Sequence, residues 1–303
     1  QFEKAEQDFK DFVNVQENSP ESRLSLAEFY ALIGRGDDAL TTLNQILADA
    51  PEYVRARYRL GEIQLDLKNY ADVRKQTEIL LSINDDDTEA LMLRARVNLQ
   101  ENKAEDAVKD LEEILKKQPS QRDALFYMTQ ARLALGQIDQ ARAFTGDLDK
   151  YHPTFLKTKL LKIQLAFSAN QFENALRQAN ELIETAKISF PNAEADAQDL
   201  MDLQIRGLSA RGLAFLELGK IAEAKADLQE IVSLSPNSSA ALVNLAKISL
   251  AENNLAEALN LYEKALNVDA KNFDALSGAV NVLIRQKQSA QAHAKIDKTL
   301  QEN

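Results

Sequence analysis

The chain has 303 residues, 45% hydrophobic and 27% charged, a composition that allows a large buried core in water. Its net charge of -11 and pI near 4.9 argue against nucleic acid and anionic membranes as partners, because both are bound through clustered lysine and arginine. The absence of cysteine excludes disulfides, thiolate catalysis and cysteine metal sites, and no apolar run is long enough to cross a membrane.

A small residue recurs every 34 residues along most of the chain. The column contains Ala5, Ala39, Ala107, Ala141, Ala175, Ala224, Ala258 and Ala292, with Val73 in the one gap. Large apolar residues stand four and seven positions later, as at Leu43 and Ile46, which is the spacing of one stripe on an α-helix. Five positions earlier stand residues that tolerate a left-handed backbone, namely Gly34, Gly136, Gly219, Asn102, Asn170 and Asn253. Each repeat is therefore predicted to be a helix, a tight turn and a second helix.

The period divides the chain into eight repeats that follow a half-repeat. The predicted repeats are 20–53, 54–87, 88–121, 122–155, 156–204, 205–238, 239–272 and 273–303. Residues 1–19 match only the second helix of a repeat, so we expect them to be cut from a longer array. Without its first helix this segment exposes Phe2, Phe9 and Phe12, which could join two copies of the chain.

This helical hairpin resembles the tetratricopeptide repeat. Leu60-Gly61, Tyr70 and the segment from Leu245-Ala246 through Tyr262 to Leu266 match the family pattern, and the resemblance covers essentially the whole chain. It implies an all-α, right-handed superhelical solenoid whose first helices line a concave, ligand-binding face. The matching residues are those that pack hairpins together, so they say little about the ligand.

Two repeats depart from the pattern. The repeat 156–204 has 15 extra residues, which we expect to prolong two helices, past Lys187 and back from Asn192, by roughly two turns each. Phe190 and Pro191 would then lie at the tip of a projecting hairpin, as a contact site or as a tolerated insertion. In the repeat 54–87, Val73 and Thr77 replace the usual small and large residues, which predicts looser or shifted packing.

The face of the first helices opposite the packing stripe supplies the candidate binding residues. These are Arg55, Tyr58, Arg59, Glu62, Met92, Arg96, Phe126, Tyr127 and Gln130. Arginine, tyrosine, methionine and phenylalanine on one face are typical of interaction hot spots. The arginines, with Arg94, could grip an acidic peptide through paired hydrogen bonds, but Glu62 and Asp66 lie close enough that ordinary charge pairing remains open.

Catalysis finds no support in the sequence. His152 and His293 are isolated, and the run from Asp85 to Asp87 lacks the glycine and terminal glutamate of a calcium loop, so we expect Asp87 or Thr88 to cap the next helix. No catalytic residue, metal ligand or cofactor is predicted.

The leading hypothesis is a non-catalytic scaffold that binds a protein or peptide in the concave groove. Long cysteine-free arrays of this kind resemble bacterial repeat lipoproteins of exopolysaccharide export and PEP-CTERM sorting systems. That resemblance implies a place in the periplasm or cell envelope rather than the cytoplasm. The alternative is the substrate-recruiting arm of a larger enzyme, such as a glycosyltransferase.

Overall fold

The structure is a computed structural model that describes residues 2–191 and 196–302, with side chains up to residue 297. These residues form 17 α-helices and no strand: α1 (Phe2–Val15), α2 (Pro20–Leu32), α3 (Gly36–Asp49), α4 (Val54–Asp66), α5 (Tyr70–Ile83), α6 (Thr88–Gln100), α7 (Ala104–Lys117), α8 (Arg122–Ala134), α9 (Ile138–Tyr151), α10 (Lys157–Ser168), α11 (Phe172–Ile188), α12 (Ala197–Glu217), α13 (Ile221–Leu234), α14 (Ser239–Ala251), α15 (Leu255–Val268), α16 (Phe273–Arg285) and α17 (Ser289–Glu302).

The helices form two compact units, unit 1 (Gln1–His152) with α1 to α9 and unit 2 (Pro153–Asn303) with α10 to α17. Within each unit every helix packs against the next one along the chain. Short turns join the helices into hairpins, and the first helices of several neighbouring hairpins also touch, as α4 and α6 do. The predicted all-α architecture of stacked hairpins is confirmed.

The small-residue column is buried among the stacked helices. Ala39, Val73, Ala107, Ala141, Ala175, Ala224 and Ala258 are 0% exposed, Ala292 is 4% exposed, and Ala5 is half-buried. The large residues that follow at the helical spacing, such as Leu43 and Ile46, are equally buried. A 34-residue period of alanines thus positions the core of each unit.

The turns inside the hairpins have the predicted left-handed residue. Gly34, Gly136, Gly219, Asn102, Asn170 and Asn253 have φ between 53° and 77°. Lys68 and Lys287 take the same conformation, each with φ of 61°, in the two hairpins without glycine or asparagine there. Repeat geometry therefore overrides the local cost of a left-handed lysine.

The prediction of looser packing at Val73 and Thr77 is wrong. Val73 is 0% exposed in a cluster with Leu65, Leu93 and Val97, and Thr77 is 1% exposed. The Thr77 hydroxyl donates to the carbonyl oxygen of Arg74 at 2.9 Å, so its polar group is satisfied although it is buried.

The extra residues of the fifth repeat lengthen its second helix less than expected. α11 has 17 residues and ends at Ile188. The backbone of Ser189, which stands two residues before Pro191, is extended. α12 has 21 residues and begins at Ala197, after an N-terminal capping box formed by Asp196 and Asp199. The predicted boundary between 204 and 205 therefore falls inside α12, and the prolongation back from Asn192 lies partly outside the described residues.

The first helix docks on the second through both an aromatic and an ionic contact. The rings of Phe9 and Phe29 stack with centroids 4.9 Å apart. The Glu6 carboxylate lies 2.7 Å from the Lys10 ammonium and 2.5 Å from a guanidinium nitrogen of Arg35. The Tyr30 hydroxyl donates to Glu6 at 3.1 Å. Glu6 is thus the polar centre of the docked helix.

Acid should loosen α1 from α2. Hydrogen bonds from Lys10, then from Arg35 and Tyr30, lower the pKa of Glu6 from 4.5 to about 2, although burial opposes the shift. Because the folded pKa is the lower one, these contacts stabilise the fold above about pH 4.5 and are lost as the pH falls from 4.5 towards 2. Hydrogen exchange of α1, corrected for intrinsic rates, should show protection declining over this range.

The matched variant is Glu6→Gln, which removes the titrating group. Its α1 protection should be lower than that of the wild type near neutral pH and should vary less with acid. Identical pH profiles for the two proteins would contradict the assignment to Glu6.

Candidate functional site

Three first helices of unit 1 lie side by side and form a groove. α4 contacts α6, and α6 contacts α8. Two pockets open here: the Tyr58 pocket, of about 260 Å³, and the Tyr127 pocket, of about 250 Å³. Arg96 on α6 lines both, so the two pockets are neighbours.

The Tyr58 pocket has an apolar floor and a polar rim. Leu93 and Ile114, which are 4% and 1% exposed, form the floor with the half-buried Met92. Glu62 and Glu89 lie on the rim. The pocket therefore offers one surface for an aliphatic chain and another for a polar head.

Tyr58 is held in place by the residue that caps α6. Its hydroxyl donates a hydrogen bond to the Asp87 carboxylate, which also accepts from the backbone nitrogens of Glu89 and Ala90 at 3.0 and 3.1 Å. Burial, and then the Asp87 hydrogen bond, raise the pKa of Tyr58 above its ordinary value. The prediction that Asp87 or Thr88 caps this helix is confirmed for Asp87.

The Tyr127 pocket is lined by one arginine, Arg96, and two aromatic residues, Tyr70 and Tyr127. The Arg96 guanidinium lies 5.7 Å from the centroid of the Tyr127 ring, a cation–π arrangement. Phe126 meets the same ring edge-on, with centroids 5.3 Å apart. Burial is the main cause that raises the pKa of Tyr127, so the phenol stays neutral near pH 7.

The structure brings six of the nine predicted groove residues to the pockets. Tyr58, Glu62, Met92 and Arg96 line the first pocket, and Arg96, Tyr127 and Gln130 line the second. Arg55, Arg59 and Phe126 line neither. The sequence reasoning missed the other lining residues, which are Thr88, Glu89, Leu93, Ile114, Gln118 and Gln121 in the first pocket, and Leu65, Asp66, Lys68, Tyr70, Leu99 and Gln100 in the second.

Ordinary charge pairing engages two of the four arginines considered for an acidic peptide. Arg59 lies 2.8 Å from Glu62. Arg94 donates twice to Asp110 of its own hairpin, at 3.0 and 2.6 Å, and lines neither pocket. Arg55 is exposed near the Tyr53 hydroxyl, whose pKa is raised chiefly by burial and also by nearby carboxylates.

The two histidines and the acidic residues form no recognisable chemical centre in the described part of the chain. A ring nitrogen of His152 lies 2.6 Å from the carbonyl oxygen of Ser120, which is a packing contact between turns. No group of three His, Asp or Glu side chains among residues 2–191 and 196–297 is placed to hold a metal ion. None of the described helices combines the length and apolar character needed to span a membrane.

Family models identify the repeat. One tetratricopeptide repeat model matches residues 34–97, 98–155 and 249–303, which is more than half of the chain, and a second matches 209–275. The chain belongs to the tetratricopeptide repeat family. The matches leave out residues 156–208, where most of the extra length lies. No curated protein sequence matches the chain significantly.

Solved structures of other tetratricopeptide repeat proteins share the fold. A tetratricopeptide repeat protein from Parabacteroides merdae has a TM-score of 0.67 at 18% identity over 88% of this chain and 99% of that one. Yeast Tom70 has a TM-score of 0.68 at 16% identity, over 100% of this chain and 62% of its own. Cut9, from the Cut9–Hcn1 hetero-tetramer of the APC/C, has a TM-score of 0.68 at 12% identity over 93% of this chain and 53% of that one.

These identities are low, so the likenesses establish the fold and not a shared partner. The tetratricopeptide repeat is in general a protein-interaction module and is typically non-catalytic. The chain is a scaffold of this general kind.

Proposed function

We propose that the chain binds an extended peptide segment of a partner protein in the groove formed by α4, α6 and α8. The observation that supports this is the pair of neighbouring pockets with Tyr58, Met92, Arg96 and Tyr127 on their walls. Tyrosine and arginine are enriched among the residues that supply most of the binding energy at protein interfaces, and methionine is enriched at interfaces in general.

The size of the pockets favours a peptide over a metabolite. Volumes of about 260 and 250 Å³ lie below the roughly 300–1,000 Å³ of small-molecule sites. Each pocket suits one side chain. Two neighbouring pockets of this size therefore suit side chains from one extended segment.

Met92→Ala should weaken peptide binding about tenfold, because the thioether wall of the Tyr58 pocket would be lost. Peptides selected by display on the wild-type protein provide the probes, and calorimetry measures their affinity. The control is Leu32→Ala, which removes a side chain that is 84% exposed at the end of α2 and lines neither pocket. Equal affinity in all three proteins would argue against the groove.

The hairpin of α11 and α12 is a second proposed contact surface. Phe190 is 86% exposed and Ile188 is 75% exposed, and Pro191 is exposed beside them. Large apolar residues grouped at a hairpin tip favour an interaction site. Phe190→Ser should lose a partner that Met92→Ala retains, and retention of every partner by both variants would count against this surface.

Self-association through the first helix also stays a proposal. Phe2 and Phe12 are 68% and 45% exposed, whereas Phe9 is partly covered by Phe29. If these rings join two copies, Phe2→Ser/Phe12→Ser should lower the mass measured by sedimentation equilibrium. A monomeric wild-type protein would refute it.

The cellular setting rests on the resemblance to repeat lipoproteins of exopolysaccharide export and PEP-CTERM systems. We propose a role in assembling such an envelope system, with a recruiting arm of a larger enzyme as the alternative. Cell fractionation and the complete gene sequence test both. A cytoplasmic protein would contradict the envelope role, and an attached catalytic domain would favour the alternative.

A further inference from the structure

The charges around the Tyr58 pocket favour a positively charged partner. Glu89 is exposed on the rim and makes no ion pair with any residue in the described part of the chain. Asp87, beside it, accepts hydrogen bonds from Tyr58 and the α6 backbone. These bonds leave the carboxylate's negative charge in place.

The positive charges near this pocket are already engaged. Arg96, the one basic residue among those lining the pocket in the described chain, lies over the Tyr127 ring. Arg59, close by on α4, pairs with Glu62 at 2.8 Å. An acidic side chain entering the pocket would have to compete with Glu62 for Arg59 and would approach Glu89, so only Arg96 would attract it without the loss of an ion pair.

The shape of the pocket complements a lysine or arginine side chain. Such a side chain has an aliphatic stem that packs on apolar surface and a charged head that seeks polar groups. Met92, Leu93 and Ile114 form the floor, and two carboxylates lie at the rim: that of Glu89, and that of Glu62, which an entering cation would share with Arg59. An entering cationic side chain would satisfy both surfaces.

Unit 1 as a whole also carries a net negative charge. Residues 1–152 contain 29 acidic and 20 basic side chains, a difference of nine, whereas residues 153–303 contain 18 and 16. Nine of the eleven net negative charges therefore belong to the unit that contains the groove. Such a field accelerates association with a cationic partner and is screened by salt.

We propose that the groove of unit 1 binds a basic peptide segment, and that a lysine or arginine of this segment occupies the Tyr58 pocket with its charged head at Glu62 and Glu89. This inference rests on the proposed function. It replaces the acidic peptide that the arginines alone had suggested.

A peptide library with mixed residues at every position tests the charge preference. The wild-type protein should enrich lysine and arginine over aspartate and glutamate by about fivefold or more at one position, which corresponds to about 1 kcal/mol. Glu62→Gln/Glu89→Gln should abolish this enrichment. Raising the salt concentration should weaken capture by the wild-type protein.

The control is Glu78→Gln/Glu105→Gln, which removes the same two charges from exposed sites on α5 and α7 that line neither pocket. It should keep the enrichment. Enrichment of acidic residues, or an equal loss in both double variants, would overturn the basic-segment inference. The groove would still stand if Met92→Ala weakened the captured peptides, and both proposals fall if neither Met92→Ala nor the glutamate variants change capture.

Discussion

Replacing Gly278 by alanine should destabilise unit 2 by about 1–3 kcal/mol, although alanine is the better helix former. Gly278 lies in the middle of α16 and faces the ring of Tyr262 on α15. A β-carbon added there would overlap ring atoms Cζ and Cε1 and would lie 2.7 Å from Cε2. Tyr262 is only 2% exposed, so its ring has no open space to move into.

Gly146→Ala is the matched control, because Gly146 also lies inside a helix, α9, but has no atom within 4 Å of the added β-carbon. This change should stabilise unit 1 by about 0.5–1 kcal/mol. Denaturant unfolding followed by hydrogen exchange in each unit measures both effects. A Gly278→Ala protein as stable as Gly146→Ala would contradict the close packing of α15 on α16.

Removal of the Asp227 carboxylate should cost about 3 kcal/mol in unit 2, because it leaves a partly buried guanidinium without its partner. Asp227 is 4% exposed at its side chain and binds Arg211 at 2.9 Å through Nε and 2.6 Å through Nη2. Arg211 also donates to Asn180 at 2.8 Å, so it connects α11, α12 and α13. Asp227→Ala should therefore lower protection from hydrogen exchange in all three helices.

Asp139→Ala provides the comparison with an exposed pair. Asp139 is 95% exposed at its side chain and lies 3.1 Å from Arg142, so its loss should change the free energy of unfolding by less than about 0.5 kcal/mol. The double variant Arg211→Leu/Asp227→Leu should recover part of the loss seen in Asp227→Ala, because it leaves no unpaired charge. Equal destabilisation by Asp227→Ala and Asp139→Ala would contradict a buried ion pair.

The helical hairpins could be predicted because their packing repeats in the sequence. Glycine and asparagine marked six of the left-handed turns directly, whereas Lys68 and Lys287 could be found only from their place in the period. The close packing at Val73 could not be predicted from the sequence, because it depends on neighbours such as Leu93 from the next repeat.

The groove was predicted on one wall only. A helical face indicates which side chains of α4, α6 and α8 point the same way, and it gave Tyr58, Met92 and Tyr127. Ile114 and Gln118 come instead from α7 and the turn after it, and they reach the Tyr58 pocket through the stacking of successive hairpins. No pattern within a single helix shows that approach.

The contact of Arg94 with Asp110 could have been predicted from the sequence. Arg94 stands one position before Ala95 and 16 before Asp110, and Arg211 stands one position before Gly212 and 16 before Asp227. The same pair of residues at the same positions of two repeats indicates a contact within the hairpin. Arg55 and Arg59 have no acidic residue at this spacing, since Ala71 and Lys75 stand there.

The lengthened hairpin gives the array a landmark. α12 has 21 residues and measures about 30 Å, whereas the 13-residue first helices such as α14 measure about 20 Å. In a low-resolution map of a complex, where repeats of equal height look alike, this taller element would identify the fifth and sixth repeats. The repeats before it and after it could then be assigned in chain order.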